Sequence, residues 1–284
     1  MSEIQKPETH TASNEHEHDG ITFEVIEPEH SGDKRIMTSG VYLIPNLITT
    51  LSLFSGFYSI ILSTSADYQR AGLAIFVSAF LDGMDGRAAR MFNAQSPFGE
   101  QYDSLADCIA FGLAPAILIY SFALAPLGRF GMACAFVYAA CAAFRLARFN
   151  VQIDVVDKKY FIGLASPLAA LLIACSVLVA AKYASLMTAI PTALTWFFAL
   201  WTIVCGILMV SNIKYYSFKE FDKQKVPFIV LLLAVLVFGV VLYDIPVGLL
   251  AIGIAYVLSG FVTTLNKKFS EFLKKCLTPI KFSV

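Results

Sequence analysis

The sequence predicts an all-α, polytopic integral membrane protein with about eight transmembrane helices. Three observations predict it. Hydrophobic residues make up 57% of the 284 and charged residues only 15%, with a mean hydropathy of +0.69. After residue 40 the apolar residues gather in runs of roughly 18–24, enough to cross a hydrocarbon core of about 30 Å as helices. No stretch between or after those runs is long and mixed enough for a second, soluble domain.

Residues 1–39 come first, with nine acids, three bases and all four histidines and no sustained periodicity. They read as a mobile polar tail. His16-Glu17-His18 within it is either a loose metal ligand pair or an ordinary flexible segment. A charged n-region followed by an apolar h-region is absent from the start, so no cleavable signal peptide is expected. The membrane-embedded domain is expected over 40–265, with runs at about 41–63, 71–92, 103–125, 130–149, 164–182, 193–210, 226–243 and 245–263. The second is the least regular, because charged residues occupy its C-terminal half. The last two are parted only by the Tyr243-Asp244-Ile245-Pro246 turn.

The final segment, 266–284, sets Lys267, Lys268, Lys274, Lys275 and Lys281 among Phe269, Phe272 and Leu273. That pattern fits an amphipathic helix on an anionic leaflet, or a plain solvated charge run. With the N-terminus in the cytoplasm, 18 of the 21 Lys and Arg fall on inside segments, and only Arg70, Arg129 and Lys182 lie outside. The positive-inside rule therefore puts both termini on the cytoplasmic side of an inner or plasma membrane. Net charge is zero, which leaves no electrostatic footprint for a nucleic-acid partner.

Against this background one stretch stands apart. Asp82, Asp85, Gly86, Ala89 and Arg90 are followed, eight residues on, by Gly99, then by Asp103 and Asp107. Residues on an α-helix turn by about 100° each, so Asp82, Asp85, Gly86 and Ala89 share one face. Asp103 and Asp107 share a face of the next helix. Each Asp at mid-membrane costs about 2.5–3.5 kcal/mol, so four cost roughly 10–14. Stability gives no reason to keep them. Brought together they also repel, unless cations neutralise them. Two divalent ions would, and an all-carboxylate ligand set selects hard ions such as Mg²⁺ or Mn²⁺, which also bind phosphate oxygens. Such a two-metal site suits in-line displacement at phosphorus. The plain alternative for an isolated Asp-x2-Asp is a solvated helix end. Here the other acids lie in the tail, loops or C-terminus, so these four are the carboxylates embedded in apolar runs.

The spacing D-x2-D-G-x2-A-R-x8-G-x3-D-x3-D resembles the signature of the CDP-alcohol phosphotransferases. These are membrane enzymes that pass a phosphatidyl-type group from a CDP-activated donor to an alcohol. Flanking segments are similar to the phosphatidylserine synthase branch: Pro45-Asn46-Leu-Ile-Thr49, the run from Asp103 to Pro115, Phe144-Arg145-Leu-Ala-Arg148-Phe-Asn150, and Phe161-Ile-Gly163-Leu-Ala-Ser166-Pro167. The likeness covers roughly residues 40–245. It departs at Ser52, where the pattern has Asn, so that any contact there to the donor would be shorter or water-mediated.

The resemblance implies a reaction of CDP-diacylglycerol with L-serine to give phosphatidylserine and CMP, at the cytoplasmic ends of the second and third spans. It implies Asp82, Asp85, Asp103 and Asp107 as ligands to two Mg²⁺ or Mn²⁺ ions, with Asp107 also taking the proton of the serine hydroxyl. Asn46, Thr49, Gly86, Ala89, Arg90 and Gly99 would meet the nucleotide donor, although interhelical hydrogen bonding explains Asn46 and Thr49 equally simply. Arg145 and Arg148, three apart, either clamp the donor phosphate or serine carboxylate, or anchor the span by snorkelling to headgroups. A homodimer within the lipid bilayer is the family's default. A sibling enzyme with glycerol phosphate, inositol or choline as acceptor shares the same motif. A cation transporter is the reading from another class, and it lacks the second copy of the motif that an internal repeat would bring.

Six cysteines form neither a metal-ligand pair nor a disulfide framework. Cys108 adjoins Asp107, yet no histidine follows residue 30 to activate it, and it reads as a packing residue. The chain has no P-loop, which argues against ATP-driven chemistry.

Overall fold

A computed structural model of the chain describes residues 43–91, 96–152, 160–184, 191–216, 239 and 244–260. The order is α1 (Leu43–Thr64), α2 (Tyr68–Met91), α3 (Pro97–Asp107), α4 (Ala114–Ile119), α5 (Arg129–Gln152), β1 (Tyr160–Ile162), α6 (Ser166–Ala184), α7 (Thr192–Val210) and β2 (Lys214–Tyr216). A last apolar helix, α8, runs over Ile245–Gly260. A π-helical stretch, Cys108–Leu113, joins α3 to α4, and a second, Tyr120–Leu124, extends α4, making one rod that ends at Leu127.

The expected all-α membrane architecture holds, apart from one three-residue antiparallel ribbon pairing Tyr160–Ile162 with Lys214–Tyr216. Among the described residues, four helical segments are long and apolar enough to span a bilayer: Pro45–Thr64, Pro97–Leu127, Arg129–Val151 and Thr192–Val210. The other expected runs fall short of that length and apolarity or lie outside the described residues. Helix α2 has the length, but the motif's charges interrupt its apolar run. Ser166–Lys182 and Ile245–Gly260 are apolar and shorter. The expected run 226–243, Gly239 aside, lies outside the described residues, as do the tail 1–39 and the basic segment 266–284.

The rod Pro97–Leu127 is the centre of the bundle, with 61% of its most apolar stretch buried against 33% for α1 and for α5. Phe111, Leu118, Ile119 and Leu124 along it are wholly enclosed. Helix α1 packs most extensively on α2. Serines at 52, 55 and 59 recur at helical spacing and line the shared face. Ser55 and Ser59 donate to the carbonyls of Ala74 (2.7 Å) and Ala71 (2.8 Å), and Ser52 meets the Ser78 hydroxyl at 2.9 Å. Small partners let the backbones approach, and the hydroxyls satisfy one another where water is absent. Gly56 serves the same end toward the rod, since a Cβ there would stand 2.7 Å from Ala110 Cα.

The chain's alternation sorts the polar residues to two ends. Asp82 and Asp85 close α2, Asp103 and Asp107 open the rod, and Arg145 and Arg148 close α5. Cross-helix hydrogen bonds hold these ends together: Asn150 of α5 to Ser104 (3.0 Å), Arg145 to Ser166 at the start of α6, and Arg148 to Asn212 just after α7 (2.8 Å). The opposite end is aromatic, with Phe122 edge-on to Tyr68 and Phe198. There Lys182 pairs with Asp244, which caps α8, and this hydrogen bond holds the Asp244 carboxyl below the usual carboxylate range.

Candidate active site

The last turns of α2 and the later half of α3, two helices five residues of chain apart, bring the motif's carboxylates together. One oxygen each from Asp82, Asp85 and Asp103 lies within 4.8 Å of the others. Asp107 is outside that trio, with its carboxyl close to that of Asp82. Two carboxyl groups in such contact need a shared proton or a cation between them. Asp85, 5% exposed, accepts from Thr49 Oγ1 at 2.8 Å, so α1 fixes its rotamer. Asp103 Oδ1 is buried with no hydrogen-bond partner among the described residues.

That donor set answers whether a metal fits. It offers carboxylate oxygens alone, converging, with one oxygen unsatisfied. A hard divalent cation suits all three properties.

An open cavity of about 150 Å³ adjoins the trio. Of the residues expected at a nucleotide, Asn46, Thr49, Gly86, Ala89 and Gly99 line it beside Asp85 and Asp103. A Cβ at Gly86 would meet nothing within 4 Å, so its bare backbone faces open space. At Gly99 a Cβ would press to 3.2 Å from Ser96 Oγ and 3.3 Å from Asn46 Oδ1. The glycine leaves room for both groups.

Three expected residues sit elsewhere. Arg90 is exposed and donates from Nε to the carbonyl of Gly86 at 2.9 Å, on its own helix. Arg148 turns to the end of α7, where it donates to Val210 O (3.3 Å) and Asn212 Oδ1 (2.8 Å). Ser52 faces α2 and not the cavity. Arg145, by contrast, lies within electrostatic range of Asp107.

The profile of the CDP-alcohol phosphatidyltransferase family matches residues 42–208, more than half of the chain. The chain belongs to that family. Curated relatives agree. A CDP-diacylglycerol–serine O-phosphatidyltransferase of Helicobacter pylori is 41% identical over 180 residues, covering 63% of this chain and 74% of the relative. The one from Bacillus subtilis is 37% identical over 179 residues, 62% of this chain and 92% of that one. A Saccharomyces cerevisiae protein of the same name is 40% identical over 134 residues, 42% and 48% of the two chains.

Within this CDP-alcohol phosphatidyltransferase the sequence reading missed residues as well. Ser96 and Glu100 line the cavity, because the rod begins at Pro97 and not near 103. The signal was present: Ser96 caps the helix by accepting from Gly99 N–H at 3.0 Å, and Pro97 takes the first turn. The polar residues that follow read as loop on hydropathy alone. Ser166, which receives Arg145, lay in a flanking segment similar to the phosphatidylserine synthase branch but had no role read for it.

Proposed function

We propose that this family member transfers the phosphatidyl group of CDP-diacylglycerol to L-serine, releasing CMP and phosphatidylserine. The observation that carries the reaction type is the convergence of the motif's four carboxylates beside a cavity walled by small residues. The shared name of the relatives supports serine as acceptor.

Asp82, Asp85 and Asp103 would hold two divalent ions, Mg²⁺ or Mn²⁺. When bound, these neutralise the carboxylates and the pyrophosphate and favour CMP as leaving group. The chain's own residues do the rest. Thr49 keeps Asp85 in place. Gly86, Ala89 and Gly99 leave space for the cytidine against bare backbone, with Asn46 at its edge. Arg145 holds the carboxylate of the incoming serine next to Asp107. A serine hydroxyl is a weak nucleophile at neutral pH, so it needs a base within reach. Asp107 accepts the hydroxyl proton as the serine oxygen bonds to the phosphorus bearing the diacylglycerol. The bond from that phosphorus to the CMP oxygen breaks, and CMP departs with the electron pair. Histidine is absent after residue 30, and the remaining carboxylates are taken up as ligands, which favours direct attack over a covalent enzyme.

The apolar runs support eight spans, the distribution of Lys and Arg supports a cytoplasmic position for this centre, and the family resemblance supports a homodimer. The test is CMP release from CDP-diacylglycerol by detergent-purified protein with Mn²⁺ or Mg²⁺, across a panel of acceptor alcohols. Release that requires both serine and metal is the expected result. Release with glycerol phosphate, inositol or choline but not serine would move the chain to a sibling activity. Silence with every acceptor would refute transfer altogether.

A further inference from the structure

Arg145 and Arg148 look equivalent in the sequence, and the structure separates them. Arg148 is committed to the end of α7 through Val210 and Asn212. Arg145 crosses instead to the start of α6, where Nη1 donates to Ser166 Oγ. Its Nε is buried without a hydrogen-bond partner among the described residues. A half-buried guanidinium with one enclosed donor to spare is suited to an anion that arrives later.

Ser166 is itself an immobile point. It is fully buried and opens α6, followed by Pro167. The chain entering α6 is keyed to the end of α7: Gly163 N–H donates to Ile213 O (2.9 Å) and Leu164 N–H to Leu208 O (3.0 Å). Gly163 has φ +79°, and a Cβ there would stand 2.4 Å from Met209 O, so only glycine lets the segment lie so close. A hydroxyl anchored this firmly restricts where a long arginine side chain can aim.

We propose that Ser166 is a positioning residue for the acceptor. Its hydroxyl holds the Arg145 guanidinium at the angle from which that group binds the acceptor's carboxylate beside Asp107. The inference rests on serine being the acceptor. Arg148 is the strut that keeps α5 registered on α7 and takes no part in acceptor binding.

The test is steady-state kinetics on the purified full-length protein with Mn²⁺ and CDP-diacylglycerol, varying L-serine. Ser166→Ala should raise the KM for serine about tenfold, as loss of a hydrogen bond to a charged group does. The KM for CDP-diacylglycerol and kcat should stay within about twofold, and Tm within a few degrees. In an Arg145→Lys background, Ser166→Ala should add less than about twofold, because the effect travels through the guanidinium. A serine KM unchanged by Ser166→Ala, or the same rise in both backgrounds, overturns the inference. So does a joint loss of kcat, both KM values and Tm, which would make Ser166 a helix cap alone. Failure of the acceptor reading looks different: the wild-type protein would then show no serine-dependent CMP release at all.

Discussion

The interface of α1 with α2 changes character along its length. Over its middle and far part, Ser52, Ser55 and Ser59 meet Ser78, Ala74 and Ala71, and each hydroxyl finds a partner. At the near end Thr49 meets Asp85, and the carboxylates beyond it do not find enough donors. Both parts bury polar groups in apolar surroundings, so burial does not distinguish them. Satisfaction does. The serine ladder is complete within the protein, whereas the acidic cluster keeps Asp103 Oδ1 without a partner among the described residues.

The strongest way to break this contrast is to neutralise the group placed to act on the acceptor. Asp107→Asn should lower kcat by at least about a thousandfold with the helical circular-dichroism signal unchanged. Substantial residual turnover would leave Asp107 without its role as base. Next comes the unsatisfied oxygen. Asp103→Asn should raise the Mn²⁺ concentration for half-maximal activity by at least about a hundredfold. It should also raise the Tm measured without metal, because a repelling charge is gone. A metal-free Tm that fell would mean the cluster is satisfied by protein after all.

Gly86→Leu sharpens the comparison from the cavity side. Its side chain meets open space, so Tm should hold while the KM for CDP-diacylglycerol climbs about tenfold or more. Thr49→Val stands at the junction of the two regimes. Losing the hydroxyl that orients Asp85 should weaken Mn²⁺ dependence by about tenfold, read from the same titration. The smallest effect is expected on the ladder. Ser55→Ala should cost about 1 kcal/mol of stability in detergent unfolding and leave both KM values within twofold.

The sequence made the acidic cluster legible because its spacing is local: a period of three or four on one helix, repeated on the next. Composition and apolar runs likewise placed the helices, with the rod's start displaced because Glu100 and Gln101 make its first turns read as loop. Long-range partners were not legible. Nothing in Arg145-x2-Arg148 says that one guanidinium reaches Ser166 and the other Asn212, since that depends on how α5, α6 and α7 pack. Ser52 is the same case in reverse. Read against its family pattern it pointed to the donor, and packing turned it toward Ser78. The apolar run at about 71–92 marked α2, a 24-residue helix, even though the motif's charges interrupt it.

All four carboxylates lie between residues 82 and 107, on two consecutive helices. During biosynthesis they are therefore made within 26 residues of one another, and not as charges on helices far apart in the chain. Arg145 and Ser166 follow only later in translation. The acidic cluster is thus older, within the life of each molecule, than the Arg145–Ser166 pair proposed to guide the acceptor to it.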